Sequence, residues 1–219
     1  MKNFLNKLVQ PYSWWPLILC FTINMLSFQG TRLINKNFHH YDVSLPIDHE
    51  IPLIKWWVVI YLGCYITWIA SYWLIAREER KISYNFFASE IIGKLICMAF
   101  FLFLPTITER PEIVGTDIFS ELMRMVYSMD TPDNLFPSLH CFASWMSWRG
   151  LLSCKKVPKW YVWVAFVTMF LVFGSVLFTK QHLIVDIFGG VIIAELGILI
   201  AKLTKAYRFF DVKKYRHLP

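Results

Sequence analysis

His182 and Asp186 stand four residues apart at the start of a long apolar stretch, and His140 opens another behind Pro137 and Ser138. A spacing of four places an imidazole and a carboxylate on one helical face. The carboxylate then accepts the Nδ1 proton, fixes the tautomer and leaves Nε2 as a nucleophile. Attack by that nitrogen on phosphorus gives a phosphohistidine, which divides one displacement into two easier ones. His140, on a neighbouring helix, would protonate the leaving alkoxide and then deprotonate the incoming water, a contribution of about 10²–10⁴-fold. Histidine and aspartate are unfavourable inside a bilayer and seldom lie there without a task. The bland alternatives are a satisfied buried histidine at 140 and a structural pair at a helix end for His182 and Asp186.

Ser138 reads as the N-cap of the helix that follows, because Pro137 disfavours helix upstream. The amides of Ser138, Leu139 and His140, at the positive end of that helix, suit equatorial phosphoryl oxygens. Arg110 supplies a forked donor and Lys180 a point charge for the same oxygens. Cations and amides together stabilise the developing charge, so neither metal nor other cofactor is expected. A zinc held by His140, His182 and Asp186 would meet the ligand count of a catalytic site, but Arg110 and Lys180 beside it would repel a dication. His39, His40 and His49, with Asp42 or Asp48, read as solvated loop residues and not as metal ligands.

The elements that must position these residues are membrane spans. Hydrophobic residues make up 57% of the 219 residues and charged ones 17%, against about a quarter charged in a soluble domain. Six apolar runs approach the roughly 20 residues of a span: 14–28, 51–76, 84–105, 139–153, 160–178 and 182–203. The expected fold is therefore all-α, an integral membrane six-helix bundle forming a single domain over 1–219, with a basic tail at 204–219. The polar, basic Met1–Tyr12 segment and the lack of a small-residue cleavage site argue for a retained first helix. Residues 116–128 place Ile118, Phe119, Leu122, Met125 and Val126 on one helical face. That pattern predicts an interfacial helix between spans three and four, or a lid packed on the bundle.

Six spans put fifteen Lys and Arg on the side of the termini and six on the other. The positive-inside bias then makes both termini cytoplasmic in a cell membrane. It also carries Arg110, His140, Lys180 and His182 to the outer face at one depth. The net charge of +7 is split among short loops, which argues against nucleic acid as a partner and for contact with anionic membrane lipid. The five cysteines show no paired spacing and read as small apolar fillers. Glu90 and Lys94 are an i,i+4 pair, and Lys94 lies about 16 Å below Pro105 while Glu195 lies about 20 Å below His182. The matching depths predict an ion pair or triad in the inner half. Trp14, Trp15, Trp56, Trp57, Trp160 and Trp163 read as interfacial belts. Gly189 and Gly190 read as a close helix contact behind the site.

These motifs resemble the type 2 phosphatidic acid phosphatase superfamily, whose members share Lys-x6-Arg-Pro, Pro-Ser-Gly-His and Ser-Arg-x5-His-x3-Asp. Here they stand as Arg110-Pro111 with Phe103 in place of lysine, Pro137-Ser138-Leu139-His140 with leucine for glycine, and Ser175-x6-His182-x3-Asp186 with Val176 for arginine. The similarity covers 103–190, within a phosphatase-like core of about 84–203, and leaves the first two spans outside. It implies a metal-independent phosphatase acting on a lipid phosphate or a polyprenyl phosphate or diphosphate. His182, His140 and Asp186 would be catalytic, and Arg110, Lys180, Ser138 and Leu139 would bind substrate. Loss of both motif cations, with Pro105 to Pro111 ahead, is similar to the branch of inositol phosphorylceramide synthases. That branch implies transfer of a head group to a lipid hydroxyl. A non-catalytic lipid-phosphate binder is the third reading.

Overall fold

The computed structural model describes residues 9–211. Lys2, Lys7, Lys213, Lys214 and Arg216, which the positive-inside reading counts, lie outside the described residues. Five helices are long and apolar enough to cross a membrane: α1 (Pro11–Asn35), α3 (Lys55–Ala76), α4 (Arg80–Phe103), α7 (Lys159–Phe178) and α8 (Ile184–Thr204). Among the described residues there are three shorter α-helices, α2 (Pro46–Glu50), α5 (Ile118–Met129) and α6 (Leu139–Leu152), and a 3-10 segment, Ala206–Phe210, that follows α8. The architecture is all-helical apart from two two-residue strands, β1 (Tyr41–Asp42) and β2 (Thr106–Ile107), which pair in parallel.

The boundaries differ from the apolar runs in informative ways. The first run, expected over 14–28, extends through Ser27, Gln29 and Thr31 to Asn35 with a π turn at Leu26–Gly30. Ser27, Thr31 and Asn35 do not break it because the bundle buries them: Ser27 Oγ donates to the Lys94 carbonyl and Asn35 Nδ2 to the Phe101 carbonyl. The fourth run forms a helix of only 14 residues, about 21 Å long and shorter than a bilayer core of about 30 Å. It lies buried among its neighbours, with His140 to Ser144, Met146, Ser147, Gly150 and Leu151 all inside.

α4 is the most enclosed of the five long helices. It crosses α8 where a Cβ at Gly197 would lie 2.6 Å from the Ser89 carbonyl oxygen, so the two backbones touch. Deep in this region the expected pair forms: Lys94 Nζ lies 2.7 Å from Glu90 Oε1, both side chains buried, and the Tyr72 hydroxyl donates to the same carboxylate. Glu195 does not join it. It turns toward α6 and takes Arg149 Nε at 2.5 Å and Trp145 Nε1 at 2.7 Å. Depth along a helix was legible from spacing, but azimuth was not.

α5 begins at Asp117, whose carboxylate accepts from the amides of Phe119 and Ser120. Lys55 Nζ holds the same cap at 2.8 Å. The helix packs through Ser120, Met123 and Val126, and leaves Ile118, Met125 and Met129 exposed. Val126 therefore lies on the packed side and not with the outward apolar residues, as the periodicity had grouped it. All five cysteines are free, and four of them are buried.

Candidate active site

The site forms where the N-terminal ends of α6 and α8 meet. Ser138 has extended backbone (φ −65°, ψ 115°) and its Oγ accepts from the Cys141 amide at 3.2 Å, an N-cap as expected. The Ser138 amide is not free, however: it donates to the Asp186 carbonyl at 3.1 Å. This is a correction to the expected anion cradle, and its cause is the closeness of the helices. A Cβ at Gly190 would stand 2.6 Å from the Ser138 carbonyl oxygen, so a backbone-to-backbone bond becomes reachable. The amides of Leu139 and His140 remain in the first turn, where no intrahelical carbonyl reaches them.

His182 ends the short α7–α8 connection, and its Nδ1 lies 3.3 Å from Asp186 Oδ2. That oxygen also accepts from the Leu183 amide at 2.8 Å, so one carboxylate holds the start of α8 and the imidazole together. The connection turns tightly because Lys180 adopts a left-handed backbone (φ 54°). The His140 ring lies 5.6 Å from the His182 ring, centroid to centroid, with the planes inclined at 59°. Both imidazoles are nearly buried. Chain positions 42 residues apart thus become neighbours with unstacked rings, close enough to serve one small ligand.

α3 supplies the walls around His140. Tyr61 lies 4.5 Å from it at 30°, Trp68 at 5.4 Å and Tyr65 at 6.2 Å. The Trp68 indole is fixed by a 2.9 Å bond to Ser144 Oγ. None of these rings belonged to the residues singled out by spacing, although α3 carries them at helical intervals.

Arg110 is brought to the site and then heavily engaged. Its Nη1 donates to the Asp130 carbonyl, its Nη2 to Gln181 Oε1 at 2.9 Å, and the guanidinium lies 4.8 Å over Tyr127. Burial pulls its pKa down, and Asp130 opposes that; the guanidinium stays charged. Lys180 donates from Nζ to the Asp48 carbonyl at 2.8 Å. It lines a small cleft with Asp48, His49, Thr108, Glu109 and His182, so it stands beside His182. Burial also lowers its pKa.

Beyond those rings, three residues at the site escaped the sequence reading. Asp48 was grouped with solvated loop residues, but it is buried: Oδ1 accepts from the Ile184 amide at 2.9 Å and Oδ2 from the Leu45 amide at 2.8 Å. It therefore caps α8 from the distant α2. His49 lines the cleft with Lys180 and His182, whereas His40 Nδ1 pairs locally with the Phe38 carbonyl. Asp130 takes Arg32 Nη2 on Oδ1 at 2.7 Å and the Tyr61 hydroxyl on Oδ2 at 3.2 Å. Gln181 is buried behind Arg110. Only Asp48 left a local signal, the Pro46-x-Asp48 start of a short helix.

Among the described residues, four buried polar atoms at the site have no hydrogen-bond partner: His140 Nε2, Arg110 Nε, Gln181 Nε2 and Asp186 Oδ1; others, such as Glu78 Oε2 and Ser147 Oγ, lie elsewhere. Each such atom costs about 1–3 kcal/mol if nothing meets it, and three of the four can donate to an anion. No group of three or more His, Cys, Asp or Glu among the described residues is arranged to hold a metal ion. Comparison of the chain with protein-family models, curated proteins and solved structures found no match.

Proposed function

We propose that this protein is an integral-membrane, metal-independent phosphatase of lipid phosphates that works through a phosphohistidine on His182. One observation carries the reading: two imidazoles 5.6 Å apart at the tips of two helices, one of them backed by a carboxylate. Structural histidine pairs have no need of an unpaired buried nitrogen such as His140 Nε2, since buried polar groups are normally satisfied.

The reaction follows from those groups. The lone pair of His182 Nε2 attacks phosphorus while Asp186 keeps the proton on Nδ1 and balances the charge that develops. The phosphorus–oxygen ester bond breaks, its electron pair leaves on the alkoxide, and His140 donates a proton to release the alcohol. His140, now neutral, takes a proton from water, and the hydroxide attacks phosphorus. The phosphorus–nitrogen bond breaks, its electrons return to His182, and phosphate departs. Arg110, Lys180 and the amides of Leu139 and His140 hold the phosphoryl oxygens.

Membrane placement completes the reading. α6 sits with the five long helices as a sixth, partial span; both termini are cytoplasmic, and the site faces outward from the cell membrane. There a lipid or polyprenyl phosphate keeps its tails in the bilayer. The exposed Ile118, Met125 and Met129 of α5 suit a helix lying in that interface. The chain would then be a divergent relative of the type 2 phosphatidic acid phosphatases.

A second reading, transfer of a phospho-alcohol group to a lipid hydroxyl, is favoured by the engagement of the cations. Arg110 is spent on Asp130 and Gln181, and Lys180 on the Asp48 carbonyl. A site with so little free positive charge suits the single charge of a phosphodiester better than a dianionic monoester.

The test uses the purified full chain in mixed micelles with ³²P-labelled lipid phosphate. The wild type is expected to release inorganic phosphate in chelator and to carry an acid-labile label that His182→Ala abolishes. Turnover that requires an added lipid alcohol selects transfer. Equal activity of His182→Ala and wild type, or no label on the wild type, sinks the phosphohistidine, and the lack of turnover with either acceptor leaves a binder.

A further inference from the structure

Asp130 closes α5 and is gripped from three directions. Arg32 of α1 holds Oδ1 at 2.7 Å, the Tyr61 hydroxyl of α3 donates to Oδ2 at 3.2 Å, and Arg110 donates to its carbonyl. Tyr61 carries this arrangement onward, because its ring lies 4.5 Å from that of His140. The two histidines are therefore unequally served. His182 has Asp186 in direct contact, whereas His140 rests on the rings of Tyr61, Tyr65 and Trp68 with Nε2 unpartnered. A proton donor enclosed by rings loses its proton to burial unless a negative charge stands near.

We propose that Asp130 is that charge: a positioning residue, locked by Arg32 and Tyr61, against which the imidazolium of His140 forms and discharges. The inference rests on the phosphohistidine reading, in which His140 gives its proton to the departing alkoxide oxygen and later takes one from water. Asp130 neither gains nor loses a proton in either step.

The neighbouring charges agree with the role. Burial alone would raise the Asp130 carboxyl, but the charges of His140, Arg32 and His182 and the Arg32 hydrogen bond hold it below the ordinary carboxylate range. It is therefore negative at neutral pH. The groups that face it are Arg32 from α1, Tyr61 from α3, Arg110 from the preceding loop, His140 from α6 and His182 from the α7–α8 connection. His140 in turn faces Tyr61, Tyr65, His182 and Asp130. Arg32 is divided between Asp130 and Asp133, which shares the same guanidinium at 2.6 Å. Arg110 bonds the Asp130 carbonyl and not its carboxylate, so the Tyr61 hydroxyl on Oδ2 is the carboxylate's contact on the side of His140.

Asp130→Asn keeps the shape and removes the charge. Tyr61→Phe removes only the hydroxyl, keeps the ring against His140, and tests the same link should Asp130→Asn fail to fold. For a lipid phosphate with an alkyl leaving group, each variant is expected to lower kcat by roughly 10- to 100-fold with KM within about twofold. The limb of the pH–rate profile that needs the protonated acid should move to lower pH. With an aryl-phosphate lipid analogue, whose leaving group needs no proton, the first step should persist and acid-labile phosphoenzyme should accumulate. Equal slowing of both substrates with an unmoved pH profile overturns the role of Asp130 while the phosphohistidine stands. A wild type without label overturns both, and His182→Ala in parallel tells the two failures apart.

Discussion

Adding one methyl group at Gly190 tests whether helix contact sets the catalytic geometry. The Cβ of Gly190→Ala would meet the Ser138 carbonyl oxygen at 2.6 Å, the Phe142 amide at 3.0 Å and Cys141 Cβ at 3.2 Å. Two of these are backbone and cannot swing aside. Ordinary contact begins near 3.4 Å, so α6 and α8 must part by about 0.8 Å in a close-packed interior. The bond from the Ser138 amide to the Asp186 carbonyl lies in the same contact and lengthens with it. Overpacking of this kind costs about 1–3 kcal/mol. A shift approaching 1 Å between His140 and His182 is expected to lower turnover by about 10²-fold. The readouts are thermal unfolding in detergent, followed by tryptophan fluorescence, and kcat on lipid phosphate. Gly189→Ala is the control, because its Cβ meets only the ring of Phe136, which can rotate, so turnover should fall much less. If Gly190→Ala leaves melting temperature and kcat as they are, the close contact does not position the imidazoles and the reasoning fails.

The buried Glu90–Lys94 pair predicts a strong asymmetry. Lys94→Met alone leaves a buried carboxylate with only Tyr72 and is expected to cost about 3–5 kcal/mol, whereas Lys94→Met with Glu90→Gln recovers most of it; thermal unfolding of the three proteins checks this. Arg149→Met at the partly exposed pair with Glu195 should cost less than about 1 kcal/mol in the same measurement. Asp117 predicts a pH dependence of α5. Hydrogen bonds from Lys55 and from Ser120 hold its carboxyl well below the ordinary carboxylate range. A depressed carboxyl contributes stability above its unfolded pKa and loses it as pH falls below that value. Amide exchange at Phe119 and Ser120 should therefore accelerate below about pH 4, and Asp117→Asn should remove that pH dependence.

Much of the fold was legible because its signals are local. Runs of apolar residues announced the long helices, and the Ser138 cap lies within three residues of the amide it serves. The α5 periodicity was legible as a helix but not in its facing, since apolar residues occur on both its sides. Glu195 shows the same limit: spacing fixed its depth, yet the rotation of α8 gave it to Arg149 instead of Lys94.

For the site, the chain alone determined what four-residue spacing can determine. His182 and Asp186 share a helical face whatever surrounds them, and Ser138 behind Pro137 caps whatever helix follows. The rest depends on how helices rotate and approach, which is settled by packing across the whole bundle. Asp130 finds Arg32 and Tyr61 at separations of 98 and 69 residues, and Asp48 reaches α8 across 136. No short-range pattern encodes those meetings. Glycine at 190 and 197 lets the backbones of α4, α6 and α8 touch, and that closeness joins the two helix ends that carry the imidazoles.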